Sequence, residues 1–386
     1  MNFPNRAKTI PCDILLHSKD PAYAESIRQY QGCPTIAVTR KGRIFAGWYS
    51  GGTCEPHIEN YNLVVTSDDG GTTWSEPLLI IPSSQERMVH ALDIQMWMDP
   101  QNRLHICWVQ NNAKIPPVGF TEAIARKFYD ELQIPGYEGM KFPGIIHDGV
   151  LFDDFEHAEW EIVCDDPDAE ELKFSAPRYL FPGFLRCKPT FLKNGTWLAF
   201  AYNQYSNRYV HYYSVDQGKT YIRREGGARY PTHFDEAMAY EREDGSIRML
   251  ARTVGGTGEL AESISCDGGE TWTDGVLNGI DDPSTRFYVA RTPSGRILLV
   301  HNDHREKRTN MSLWLSEDDG ATWAYKKIID TRGGISYPDV DFCGDKIYLT
   351  YDWERNIQRQ IFFATFTEED IMDPDKIIDI QVISKP

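Results

Sequence analysis

The sequence predicts an all-β chain, a six-bladed β-propeller of four-stranded antiparallel blades, and two interleaved repeats predict it. Four segments, residues 67–74, 214–221, 265–272 and 316–323, share the pattern Ser-x-Asp-x-Gly-x-Thr-aromatic. Six further sites share a turn residue, one polar residue and an apolar run: Gly42, Asn102, Gly195, Gly245, Gly295 and Asp345. The last four of these markers recur at intervals of 50 residues. Six units of one supersecondary type, rich in short strands and poor in helical periodicity, are the signature of a propeller.

Each element has a physical reason. The runs NLVVT, YVHYY, ESI and SLWL before the Ser-x-Asp motifs are strand-like, so the motif falls on a strand end and its turn. The Asp accepts backbone N–H groups inside that turn, the Gly permits positive φ, and the aromatic ring buries between strands. A fold-holding turn is therefore preferred to a metal-ligand role for these Asp residues. The earlier turn markers lie 60 and 93 residues apart, which predicts an insertion in the second blade, at about 112–175, within a single domain covering 1–386. The insertion contains AIARKFYDEL, the one convincing helical stretch. A long insertion on a rigid scaffold either covers a site or decorates the surface.

Composition narrows the function. Among 386 residues, 40 Lys and Arg face 57 Asp and Glu, a formal charge of −17. Without a basic run, nucleic acid and anionic membranes are poor partners. No apolar stretch approaches eighteen residues, so no transmembrane helix is expected. The start, MNFPNRAKTIPCDILLH, lacks the pattern of a secretory signal. Eight cysteines occur without a C-x-x-C, which fits reduced thiols in a cytoplasm and no zinc ribbon. No cofactor is expected, and no metal, with His211 and His233 the nearest exceptions.

In a propeller the innermost strand of each blade begins at one mouth of the central channel. Counting back seven to ten residues from the turn markers selects Gly32, Asp93, Lys188, Glu236, Arg286 and Tyr337. Five of the six are polar or ionisable where an apolar strand would open. Buried charge must be paired or used, so this ring is either a binding site or a self-neutralising plug.

The four motifs resemble the Asp boxes of the sialidase (neuraminidase) superfamily, and the resemblance runs from about Gly32 to the C-terminus. It extends to Glu236 with Arg252 in FDEAMAYEREDGSIRMLAR, to Arg308 eight residues before Ser316, to Tyr337 in GGISYPD, and to Glu55 in YSGGTCEPHIEN. The family's first blade opens with an Arg that clamps the sugar carboxylate; here Gly32-Cys33-Pro34 stands in its place. Gly cannot replace a guanidinium fork. Lys188 or Arg286 would then supply the missing charge, or the substrate is another sugar.

The resemblance implies retaining hydrolysis of a terminal, acidic sugar, as by an exo-α-sialidase, through a tyrosyl intermediate. Tyr337 would be the nucleophile and Glu236 its base; Arg252 and Arg308 would hold the anion. Glu55 would be the acid and base, with burial under its loop raising its pKa. Asp93, Lys188, Arg286 and Asp235 would bind the small carbohydrate. Plainer roles compete: Arg252 pairing with Glu241 or Glu243, Arg308 in a solvated loop, Tyr337 in the core, Glu59 in place of Glu55, and Trp48 and Tyr49 either stacking on sugar or packing inside. A hydrolase of a different sugar and a carbohydrate-binding propeller without turnover also remain open, with a protein-interaction scaffold behind them.

Overall fold

The computed structural model describes residues 6–114, 144–147, 149–202, 208–230, 236–254 and 256–386. Among the described residues, six antiparallel sheets of four or five strands follow one another along the chain. Their innermost strands are Gln31–Val38, Val89–Met98, Thr190–Phe191, Ala237–Glu241, Tyr288–Arg291 and Ile335–Cys343. The first contacts those of the second and last blades, and the inner strands of blades three to six touch in succession. The expected apolar runs form the second strands: Ile44–Ser50, Leu104–Lys114, Trp197–Ala199, Ile247–Ala251, Ile297–Asn302 and Lys346–Trp353. Among the described residues, four blades have the four strands expected, while the first gains a fifth, Leu15–Leu16, and the second gains Gly144–His147. The third blade has a two-stranded ribbon beside it, Phe184–Leu185 with Ala201–Tyr202.

The expected insertion is shorter than 112–175. Within that span, Val150–Cys164 is the second blade's own third strand, paired with Leu104–Lys114 over most of its length. The expected helix lies outside the described residues. A different helix is present, Glu368–Met372, opened by a capping box in which Thr367 and Asp370 satisfy each other's backbone N–H groups. Its T-x-x-D signature, in FTEED, is visible in the sequence.

All four Ser-x-Asp motifs end third strands, and each is closed on itself. In the fourth blade Ser265 Oγ donates to Asp267 Oδ1 (2.8 Å) and accepts from Gly269 N–H (2.9 Å); Thr271 N–H donates to the same Asp oxygen (2.9 Å). Hydrogen bonds, chiefly from the Thr, hold Asp69, Asp216, Asp267 and Asp318 down to about 2. Each turn also leans on the preceding blade. Tyr240 Oη donates to Asp319 O, Gly269 O meets His211 Nε2, and Arg103 and Arg178 donate to carbonyls of Gln217 and Lys219. In the first blade Trp74 packs edge-on against Phe363 of the last. The motif therefore fixes both a turn and the angle between neighbouring blades.

Among the described residues, first and last blades close the ring without exchanging a strand. The inner strand Gln31–Val38 leaves N–H groups facing the last blade, whose carboxylates take them up. Asp352 accepts from Cys33 N–H (2.8 Å), Asp339 from Ile36 N–H (2.9 Å) and Asp341 from Val38 N–H (2.8 Å). Unpaired backbone donors are costly when buried, so these Asp residues finish a sheet edge that no strand covers among the described residues.

Candidate functional site

Three inner strands break register at the channel mouth, between Gly32 and Thr35, between Leu92 and Gln95, and between Ser336 and Asp339. One residue at each break has positive φ: Cys33 at 55°, Asp93 at 53° and Tyr337 at 57°. Side chains disfavour that conformation by about 1–3 kcal/mol, and it persists where packing over-determines it. The breaks have a local cause. Pro34 and Pro338 follow two of them and carry no N–H to leave unpaired; at the third, Asn62 Oδ1 accepts the Ile94 N–H (3.2 Å). A bulge bends the strand and re-aims its side chain, here into the mouth.

Tyr337 lies at the centre of the resulting cluster, 4% exposed. Its hydroxyl donates to Glu236 Oε1 (3.1 Å) and accepts from Arg252 Nη1 (2.9 Å). Arg252 also bonds Glu236 Oε2 (2.8 Å), so these three form a closed triangle. The guanidinium carbons of Arg355, Arg286, Arg186 and Arg308 lie 4.1, 5.1, 5.4 and 5.4 Å from the Tyr337 ring centre. Burial works to raise the Glu236 pKa, but Arg252 and Arg186 outweigh it and hold the carboxyl down to about 2. The Arg252 partner is Glu236, not Glu241 or Glu243. Arg308 is half-buried against the ring, with weak contacts to Ser336 Oγ (3.4 Å) and Ser284 O (3.3 Å).

Asp93 pairs with Arg186, which in turn lies 3.5 Å from Glu236. Burial pushes Asp93 up to about 7, with Arg186 pulling the other way, and its Oδ1 is buried with no hydrogen-bond partner among the described residues. Glu55 accepts from Tyr30 Oη (2.6 Å) and lies 3.8 Å from Arg355. It is not buried under its loop as expected, because 28% of its side chain remains exposed. Glu59, the substitute, is 75% exposed and beside His57 instead. Trp48 and Tyr49 are core residues, Trp48 donating to Gln31 and Tyr49 to Asn60. Asp235 and His233 lie outside the described residues.

Two expectations are corrected. Lys188 does not join the cluster: its Nζ donates to Ile36 O (2.5 Å) and Val340 O (2.6 Å) and lies 3.3 Å from Asp339, deeper in the channel. It borders a cavity of about 520 Å³ at the other end, lined by Phe191, Tyr240, Tyr288 and Phe342, which excludes Tyr337. Arg286 is beneath the Tyr337 ring, but its donors go to the carbonyls of Arg186 (3.0 Å), Pro34 (2.8 Å) and Tyr337 (3.2 Å). It holds the backbone of three blades together. Neither residue stands where the first-blade arginine is missing.

The space beside Gly32 is filled by Arg355, a residue that the sequence did not single out, nor did it single out Arg186 and Asp282. Arg186 had a signal: the nine-residue offset that selects Asp93, Glu236 and Arg286 selects Arg186 when applied to Gly195. Arg355 had none, because it comes from a turn of the last blade, Trp353 having ended the second strand. Asp282 is buried beside Arg252 and Arg308, and burial pushes it up to about 7 against the pull of Thr285 N–H and Arg252.

Over residues 167–349 the chain matches the BNR repeat-like domain. The anhydrosialidase of Macrobdella decora is 34% identical over 173 residues, which take in 37% of this chain and 22% of the leech protein. The match therefore spans far less than two thirds of that relative. The solved leech intramolecular trans-sialidase, bound to 2,7-anhydro-Neu5Ac, superposes with a TM-score of 0.63 at 19% identity, covering 95% of this chain and 71% of that one. A protein of unknown function from Dyadobacter fermentans does so with a TM-score of 0.63 at 16% identity, covering 96% of both chains. At such identities the structural likeness speaks for the fold. The molecule is thus an Asp-box β-propeller. With the repeat-like domain and the leech relative, the chain is similar in sequence to members of the sialidase superfamily.

Proposed function

We propose that the chain is a glycoside hydrolase of sialidase type that removes a terminal acidic sugar from a small carbohydrate, with retention, through Tyr337. The observation that carries this is the Tyr337 hydroxyl set between a carboxylate and a guanidinium, with four further guanidinium groups around its ring. A chain of net charge −17 has gathered five arginines at one mouth, which favours an anionic ligand. A site that only binds sugar has no need of a phenol bonded to a buried carboxylate.

In the first step the Tyr337 oxygen bonds to the anomeric carbon and its proton passes to Glu236. The glycosidic carbon–oxygen bond breaks, and the leaving oxygen takes a proton from Glu55. In the second, Glu55 removes a proton from water, whose oxygen displaces Tyr337, and Glu236 returns the phenol proton. Glu236, held at about 2 in the free chain, is a weak base. A substrate anion paired with the arginines lessens their pull on it, so binding itself raises its basicity. Arg252 and Arg308 act on the substrate's charge, and the unpaired oxygen of Asp93 is suited to a sugar hydroxyl.

The test is release of 4-methylumbelliferone from its α-sialoside, beside the rhamnoside, fucoside and glucuronide. Tyr337→Phe should lower turnover at least about 1000-fold, with ligand binding kept. Cleavage of only a different sugar, lost in the same variant, would keep the mechanism and move the specificity. Full activity in Tyr337→Phe would remove the proposed role. Glycan binding with no turnover of any substrate would favour the non-catalytic propeller.

A further inference from the structure

We infer that Arg355, delivered by the last blade, binds the acidic group of the substrate in the place left open by the first blade, and that Gly32 is glycine because the Arg355 stem fills its side-chain volume. The inference rests on the acidic-sugar reading above and concerns which residue recognises the acid.

Nothing in the backbone demands glycine at position 32. Its φ lies outside the left-handed region, and it sits in a strand paired with Tyr49. What excludes a side chain is space. A Cβ there would fall 2.6 Å from Cγ of Arg355 and 2.7 Å from its Cδ and Nε. These are atoms of the stem, so a substitution has to displace the whole side chain.

Arg355 is held in place before any ligand arrives. Its carbonyl accepts the Gln31 N–H (3.1 Å), and the next residue, Asn356, donates to Thr53 O (2.8 Å). Both contacts tie the last blade's turn to the first blade. Arg355 Nε donates to Asp352 Oδ2 (2.9 Å), an oxygen that also takes the Cys33 N–H, while Ser336 Oγ donates to the other Asp352 oxygen (2.6 Å). The same carboxylate thus fixes the guanidinium and the two bulges beside it.

The guanidinium also keeps capacity to bind. It stands closer to the Tyr337 ring than Arg186, Arg286 or Arg308, and Nη2 is buried with no hydrogen-bond partner among the described residues. Arg186 is engaged with Asp93 and Glu236, and Arg286 with backbone carbonyls. A planar fork with an unused donor, beside the reacting oxygen, is suited to one side of a carboxylate.

The experiment compares calorimetric affinities for 2,3-dehydro-N-acetylneuraminic acid and its methyl ester in wild type, Arg355→Ala, Arg355→Lys, Gly32→Ala and Gly32→Ala/Arg355→Ala. Arg355→Ala should weaken the acid about 10- to 100-fold and leave the ester unchanged. Arg355→Lys should recover only part, since a point charge does not make the fork. Gly32→Ala should resemble Arg355→Ala, and in the double variant it should add nothing. Unchanged acid affinity in Arg355→Ala, or equal loss of acid and ester, would overturn this inference while leaving the proposed function standing. So would a Gly32→Ala penalty of the same size in both backgrounds. Wild type that binds neither probe, yet cleaves a neutral glycoside through Tyr337, would overturn the acidic-sugar reading and the role of Arg355 together.

Discussion

Asp282 shows how one carboxyl group can set a pH dependence. Its Oδ1 accepts the Thr285 N–H (2.8 Å), while Oδ2 is buried without a hydrogen-bond partner among the described residues. Burial raises it to about 7, from an unfolded value near 4, so the folded chain binds the extra proton between those limits. Stability from this group is complete below pH ~4 and is lost as pH rises towards 7. Asp93 acts in the same direction over the same window. Glu236 acts in the opposite one: held at about 2, it contributes stability above pH ~4.5 that is lost as pH falls towards 2. Asp282→Asn should flatten the decline in thermal stability between pH 4 and 7, by about 4 kcal/mol at most. Melting curves across that range check it, and an unaltered slope would assign the decline elsewhere.

The Asp-box turn owes its rigidity to its serine as much as to its aspartate. Ser265 is fully buried and serves two partners, Asp267 and the Gly269 N–H. Ser265→Ala leaves a buried N–H unpaired and should cost about 1–3 kcal/mol in urea unfolding. Asp267→Asn, which keeps an acceptor at an exposed turn, should cost less. Equal losses would show that the carboxylate, not the buried N–H, governs the turn. The same element-level logic applies to the bulged inner strands. Tyr337-Pro338 and Cys33-Pro34 fall at register shifts inside the continuous strands Ile335–Cys343 and Gln31–Val38. Their effect, aiming a side chain into the channel, depends on neighbouring blades to hold the positive φ.

At the scale of the molecule, ring closure depends on a small number of buried carboxylates. Asp339 alone receives Thr35 Oγ1 (2.8 Å) and Ile36 N–H (2.9 Å) and faces Lys188 Nζ (3.3 Å). Removing one partner of a buried charge pair strands the other, so Asp339→Ala should cost about 3–5 kcal/mol. Lys188→Met added to it should restore part of that loss, as read by denaturant midpoints. If the double variant is no more stable than the single one, the Asp contributes through backbone closure alone. Lys188 thus belongs to the joint between first and last blades, which is why a position counted from a turn marker misplaced it in the site.

The sequence by itself determined the periodic parts of this protein. Asp-box turns, second strands and the 50-residue interval are local patterns, each satisfied within one blade, so they are readable along the chain. Of the Tyr337, Glu236 and Arg252 triangle, the first two were legible for a related reason, each lying in a blade's regular frame at a countable distance from its turn, while Arg252 was legible only through the family resemblance. What the tertiary structure alone decided is where the channel-mouth charges meet. Arg186 could have been found with a uniform offset. Arg355 could not, because it leaves a turn of the last blade to fill the space beside Gly32 of the first, more than 300 residues earlier. No local pattern encodes that meeting. It exists because closing a ring brings the two ends of the chain together, and one glycine's missing side chain leaves room for an arginine from the other end.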